Sequence, residues 1–367
     1  MSISFFGTGE IKQIKNIISK NNIQKPLILR GNKSFQSFSN SVNKLIHPEY
    51  ESFILHESFI SLDLLTKGVT FFKKFKFDCI ICVGGGSVID FGKLISIFSC
   101  NPGNFLDYLR GSKSFKPKKN HLIAIPTTSG SGSEATHFAV LYDGFHKFSV
   151  AHESLLPDYS IIDPDLTHSL PPLQTAISGM DALCQGIESL WSKGSTDGSR
   201  ELSKKAIKLA IDNMSNSVLN PTDANRKAMA QSSNLAGRAI NISKTTAAHA
   251  FSYPLTRFLG IPHGHAVSLT IGEFIIHNSE NSVQQKSTLR LFNELFDILG
   301  VSNPIEAKIL LRDLMENIGL YTRLPSSISY RDTVSDIVSN VNLERLANNP
   351  SKVSNKDLRK IFRSLFL

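Results

Sequence analysis

The stretch FDCIICVGGGSVIDFGKLISIF, residues 77–98, constrains the fold of this chain more than any other. Its first half is an unbroken apolar run, which fits a buried strand. Gly84, Gly85, Gly86 and Ser87 interrupt it, and SVIDFGKLISIF continues with a helical period. The same order surrounds it, with KPLILRG (25–31), HLIAIPTT (121–128) and YSIIDP (159–164) reading as further strands. Strands alternating with helices predict a parallel sheet with crossover helices. From about Leu170 the alternation stops. TAISGMDALCQGIESLW, SRELSKKAIKLAIDNM, ANRKAMAQSSNLAGRAI and STLRLFNELFDILG all carry helical periods without strands between them. Prolines punctuate DPDLTHSLPP, so the expected division is an α/β domain over 1–167 and an all-α domain over 168–367. A chain of 367 residues is long enough for two cores.

Composition narrows the function classes. The chain is 41% hydrophobic and 19% charged, ordinary for a globular protein, and its net charge is +9. Such a surplus suits nucleic acid, an anionic membrane or a small anion. Its basic residues are scattered, and KPKK (116–119) reads as a solvated loop, so a small anionic ligand is expected and nucleic acid is not. The four cysteines are too few for a disulfide scaffold. Cys79 and Cys82 form a C-x-x-C, but it lies inside the apolar run rather than at a helix start, so packing is the simpler reading. The opening MSISFFGTGEIKQIK lacks a charged start and a long apolar core, which argues against a signal peptide. No run approaches a membrane span. A cytoplasmic protein without a membrane partner is expected.

Two loops carry the first chemistry. Glycines at 84–86 let backbone N–H groups approach a phosphate, and a helix start adds partial positive charge. The same glycines would equally serve a ligand-free tight turn, and the G-x-G-x-x-G fingerprint is absent. Asp90, one turn on, could cap the helix or touch a ligand. The second loop, PTTSGSGSEAT (126–136), offers Thr127, Thr128 and Ser131 as small donors to a ribose or phosphate, or is a surface turn. Two such loops at strand ends of one parallel sheet point to a nucleotide crevice. NAD-specific proteins commonly end the second strand of such a unit with a carboxylate. Here Gly31, Asn32, Lys33 and Ser34 stand there instead, and Lys33 and Ser34 could bind a 2′-phosphate, so NADPH is expected over NADH.

The third constellation lies between Ser178 and Leu269. Asp181 and Gln185 are four apart in a helical pattern and share a face. His249 follows in a separate segment, and His263 sits on a Pro-His-Gly turn. One carboxylate, one carboxamide and two imidazoles could converge on a divalent cation. Two structural histidines and a packed glutamine are the alternative.

GGGSVID, PTTSGSGSE, DPDLTHSLPP, GMDAL with GIES, and the His249 to IPHG spacing resemble the iron-containing alcohol dehydrogenase family across nearly the whole chain. The resemblance implies the fold shared with dehydroquinate synthase, a nucleotide-binding α/β domain plus a helical domain, in a homodimer. It places metal ligands for Fe²⁺ or Zn²⁺ on Asp181, Gln185, His249 and His263; the family's usual second ligand is histidine, where this chain has Gln185. A bound metal would act as a Lewis acid while a nicotinamide supplies hydride. Tyr253, where many members carry another histidine, or His265 could relay the proton. Lys147 falls where the family has a lysine contacting the nicotinamide ribose.

Within the family, INISKTTAAHAFSYPLTRFLGIPHGHAVSLT is most similar to the branch that reduces phosphonoacetaldehyde to 2-hydroxyethylphosphonate. Arg238, Lys244 and Thr246 stand where the family usually has small or apolar residues, and with Arg257 they could bind an anionic aldehyde or simply be solvated. If that segment is one helix, Lys244 lies on a face next to His249. Two other functions share these features: a dehydroquinate-synthase-like lyase acting on a phosphorylated substrate, and a metal-free nucleotide-binding protein.

Overall fold

The computed structural model describes residues 2–32, 50–57, 59–144, 146–282 and 284–366. It divides into two compact units, one ending at Leu170 and one starting at Pro171. The first holds β1 (Ile3–Phe6), β2 (Pro26–Gly31), β3 (Glu51–Leu55), β4 (Cys79–Gly84), β5 (His121–Pro126) and β8 (Tyr159–Ile162). They form one sheet in the order β1-β8-β5-β4-β2-β3, with every pairing parallel. Helices α1 (Gln13–Lys20), α2 (Leu62–Phe75) and α3 (Gly86–Ser99) connect them, with a short α4 (Phe105–Leu109).

Side chains alternate between the two sheet faces, and both faces are covered. Leu27, Leu29, Ile80, Cys82, Leu122 and Ala124 pack into one core with Phe91 and Leu94 of α3. Ile28, Cys79, Ile81, Val83, Ile123 and Ile125 pack into the other with Ile14 and Ile17 of α1. Cys79 and Cys82 therefore face opposite ways, because three residues along a strand reverse the side chain. Both are free thiols, and burial pushes both pKa values up. The packing reading of this pair holds.

Four strands escape the sequence patterns. Edge strands β1 and β3 are short and mostly half-buried or exposed, so neither shows the apolar run that betrays β4. A separate antiparallel hairpin, β6 (Phe138–Asp143) and β7 (His146–Ala151), is likewise only partly buried.

The second unit is helical: α5 (Pro172–Trp191), α6 (Asp197–Leu219), α7 (Asp223–Ser243), α8 (Ala247–Leu259), α9 (His263–Glu280), α10 (Lys286–Leu299), α11 (Pro304–Asn317), α12 (Tyr330–Ser339), α13 (Leu343–Ala347) and α14 (Asn355–Ser364). Its centre is α5, buried continuously from Thr175 to Trp191. A helix enclosed on all sides must pack against several others, and α6, α7 and α9 surround it. Thr196 and Thr222 start α6 and α7 with reciprocal capping boxes, satisfying N–H groups the helix itself leaves open. Among the described residues, no helix is long and apolar enough to cross a membrane.

Candidate active site

At the C-terminal edge of the first unit's sheet, the loops after β4 and β5 touch. A Cβ on Gly86 would lie 2.5 Å from Ser131 Oγ, so glycine is what lets the two backbones approach. Thr128 lies against Gly85, and the Thr127 N–H donates to the Gly84 carbonyl at 3.0 Å. The Thr127 hydroxyl is buried without a hydrogen-bond partner. Gly85 is the N-cap of α3 with no side-chain cap, and exposed Ser87 stands in its first turn. A helix start of this kind suits phosphate. Arg30 of β2 pairs with Val83 of β4, which sets Gly31 level with the glycine loop, and exposed Asn32 follows. Lys33 and Ser34 lie outside the described residues. β2 and β4 are adjacent, with β3 on the outer side of β2 and β5 on the outer side of β4, so the strand order reverses between them, the position where open α/β sheets bind nucleotides.

Asp90, expected as a cap or ligand contact, holds the second loop instead. Its carboxylate accepts from Ser133 Oγ at 2.5 Å and from the Val140 N–H at 3.0 Å. Lys93, absent from the sequence reading, is fully buried and donates to Ser133, Thr136 and the Phe138 carbonyl, each at 2.9 Å. Burial pulls its pKa down to about 8, against the pull of Asp90. Half-buried Lys147 on β7 acts electrostatically on Asp90.

In the second unit, Asp181, His249 and His263 present ligand atoms within 4.8 Å of one another. The Asp181 Oδ1 lies 3.4 Å from His249 Nε2 and 3.9 Å from His263 Nε2. His263 is the first residue of α9, and Gly264 is why it can reach α5. A Cβ at 264 would lie 2.1 Å from the Ile177 carbonyl oxygen and 2.9 Å from Asp181 Cβ. Gln185, one turn along α5, donates its carboxamide to Asp181.

The ring tautomers follow from hydrogen-bond inventory. Ser252 gives its one proton to the His249 carbonyl at 2.8 Å, so at 3.2 Å it accepts the His263 Nδ1–H and leaves Nε2 facing Asp181. His249 Nδ1–H donates to Glu188, a short bond that turns its Nε2 inward too. Glu188 was not anticipated, although Asp181, Gln185 and Glu188 follow the one-face spacing of a helix. It is fully buried and also accepts from Thr246 Oγ1 and the Ala248 N–H, each at 2.7 Å. Burial pushes its pKa up, but His249 and these donors outweigh that and hold it below the ordinary range. Burial alone would lower the His249 pKa; Glu188 and Asp181 lift it to about 9. Asp181 Oδ1 and His249 Nε2 are buried without a well-formed hydrogen bond. Orphaned polar atoms of this kind, backed by a carboxylate–histidine pair, fit a divalent cation.

The other expected residues are dispersed. Tyr253 stacks on the His263 ring at 5.6 Å and 17°. His265 donates Nε2–H to the Tyr321 carbonyl at 2.7 Å, which occupies its proton away from the cluster. Thr246, expected at a substrate, is fully enclosed and spends its hydroxyl on Glu188 and on the Trp191 indole. Lys244 is not on a helix beside His249: at φ 58 it ends α7, and its ammonium pairs with Glu344 at 2.6 Å. Arg238 lies exposed on α7, and half-buried Arg257 lies one turn after Tyr253 on α8.

Residues 2–164 match the family described as iron-containing alcohol dehydrogenase, and residues 175–366 match the Fe-containing alcohol dehydrogenase C-terminal family. The chain belongs to the iron-containing alcohol dehydrogenase family. It is an oxidoreductase of this family, acting on alcohols or aldehydes with a nicotinamide cofactor. It is 31% identical to Long-chain-alcohol dehydrogenase 1 of Geobacillus thermodenitrificans over 82% of this chain and 78% of the relative. It is 34% identical to Phosphonoacetaldehyde reductase of Streptomyces viridochromogenes over 55% of this chain and 53% of that protein. Its structure matches sulfoacetaldehyde reductase from Bifidobacterium kashiwanohense in complex with NAD⁺, with a TM-score of 0.89, 28% identity and coverage of 99% and 96%.

Proposed function

We propose that the enzyme reduces a short aldehyde carrying an anionic tail, with phosphonoacetaldehyde the leading substrate and 2-hydroxyethylphosphonate the product. The Asp181–His249–His263 cluster, backed by Glu188, carries this reading: it supplies three inward-facing donors suited to a metal that binds a carbonyl oxygen. When bound, Fe²⁺ or Zn²⁺ supplies Lewis acidity and the nicotinamide supplies hydride. Burial pushes the Asp181 carboxyl up, but His249, then His263 and last the Gln185 hydrogen bond hold it below the ordinary range, and the Gln185 amide oxygen is a weaker additional donor than the family's histidine. Tyr253, stacked on His263, is the proton relay in this reading. The anionic tail is supported by relatives named for reducing phosphonoacetaldehyde and sulfoacetaldehyde. Purified enzyme reconstituted with Fe²⁺ or Zn²⁺ should show a kcat/KM for phosphonoacetaldehyde about tenfold to a hundredfold above that for propanal, the discrimination expected of donors built for an anion. A preference for propanal would sink the assignment.

NADPH is proposed as the cofactor because β2 ends at Gly31 and Asn32, with no carboxylate to meet a ribose 2′-hydroxyl. Gly31→Asp should then lower the NADPH-to-NADH preference by at least about tenfold, since the new carboxylate would oppose a 2′-phosphate. Wild-type enzyme that favours NADH would show that this strand end does not select the cofactor.

A further inference from the structure

Helix α3 carries a fully buried cation, Lys93, all of whose protons go to the segment that follows β5. Asp90 and Lys93 are three apart and share a face of α3, with Nζ 3.8 Å from Asp90 Oδ1. That helix lies hard against β4: a Cβ on Gly92 would meet Cys82 Sγ at 2.1 Å, so glycine is what lets α3 sit so deep. Ser133 gives its proton to Asp90 at 2.5 Å, and Thr136 gives its proton to the Ser133 carbonyl at 3.2 Å. Both hydroxyls therefore accept from Lys93, and the Phe138 carbonyl is the third acceptor. With the Val140 N–H on Asp90, α3 grips the chain at Ser133, Thr136, Phe138 and Val140. Burying an ammonium is costly, and here these bonds and the charges of Asp90 and Glu134 offset it.

We propose that Lys93 is a positioning residue for the nicotinamide dinucleotide: with Asp90 it fixes the loop at 127–136 against the glycine loop, so that the crevice between them is formed before the cofactor arrives. This rests on the reading of that crevice as the nucleotide site. The path from the anchor to the crevice is short. The Ser133 N–H donates to Ser131 Oγ at 3.3 Å, and Ser131 is the side chain that lies against Gly86. Between them Gly132 stands at φ 59, a residue with little conformational preference of its own, so the turn is held from Ser133. A loop ordered in advance removes an ordering cost from binding. A lysine that only stabilised the fold would change Tm and leave the nucleotide affinity of the folded enzyme alone.

The test measures Kd for NADPH and NADH by nicotinamide fluorescence, without aldehyde, together with Tm and metal content. Ser133→Ala cuts the tether but leaves Asp90 and Lys93 to pair with each other, and should raise Kd for the tighter nucleotide about tenfold. Lys93→Met should raise it about 30- to 100-fold, the range for losing charge-assisted hydrogen bonds. Metal content should stay at the wild-type level in both, because the ligand cluster belongs to the other compact unit. Gly86→Asp tests the crevice itself by placing a side chain against Ser131 and a carboxylate at the helix start. Wild-type affinity in Gly86→Asp refutes the crevice reading and the inference with it. If Gly86→Asp loses affinity while Lys93→Met and Ser133→Ala keep it, the role of Lys93 alone is refuted. A loss confined to Lys93→Met also refutes it, since the effect would then be one of charge and not of tethering. Should Lys93→Met fail to fold, Ser133→Ala decides by itself.

Discussion

Glu188→Gln is expected to lower the affinity of the enzyme for Zn²⁺ or Fe²⁺ by about a hundredfold while leaving the fold intact, the upper range for losing a carboxylate behind a ligating histidine. The substitution is nearly isosteric, and the new carbonyl oxygen can still accept from Thr246 and the Ala248 N–H, each 2.7 Å from the carboxylate now. The carboxamide nitrogen would then face His249 Nδ1 as a donor. His249 would have to accept there and carry its proton on Nε2, the atom aimed at Asp181. A histidine in that tautomer has no lone pair for a metal, the same logic by which an amide in place of a triad carboxylate disables a catalytic histidine. Metal content after dialysis against a weak chelator, and kcat/KM at several metal concentrations, would read the effect. Wild-type metal retention in this variant would mean that Glu188 only fills space.

Removing the two histidines should produce unequal consequences. His263→Ala should abolish aldehyde reduction, by about a thousandfold or more, with little change in stability, because the side chain is 40% exposed and its Nδ1 donates to a serine hydroxyl rather than to a buried charge. His249→Ala should lose activity equally and also lower Tm by about 10 °C. Its ring is the group that faces the fully buried Glu188 carboxylate, and a buried charge that loses its partner is among the most destabilising changes. Nucleotide binding should survive in both, because the glycine loop belongs to the other compact unit. Gln185→His is the opposing control and should raise metal retention if residue 185 is a ligand. Thermal melts, metal content and nucleotide fluorescence together distinguish these outcomes; equal stability of the two alanine variants would refute the coupling of His249 to Glu188.

Local pattern determined the large-scale plan of this protein. The run ending in Gly84–Ser87 and its three companions are strongly apolar because a parallel strand is buried on both faces, so they announce β2, β4, β5 and β8 without any tertiary information. Helical period did the same for α5, α6, α7 and α10. Spacing alone put Asp181, Gln185 and Glu188 on one face of α5. It could not say that Glu188 matters, because a buried carboxylate and a solvated one look alike in sequence until the partner, here His249 from another helix, is known. Lys244 and Arg345 show the same limit from the other side. Lys244 stands close to His249 in sequence and is turned outward by a positive φ onto Glu344. Arg345 is remote in sequence yet only 6% exposed in α13, whose N-cap Asn342 donates to the Ala250 carbonyl that Pro254 leaves open. Short-range periodicity encodes which face of an element is apolar; which charge ends buried depends on hydrogen bonds between distant segments, and those exist only once the helices have packed.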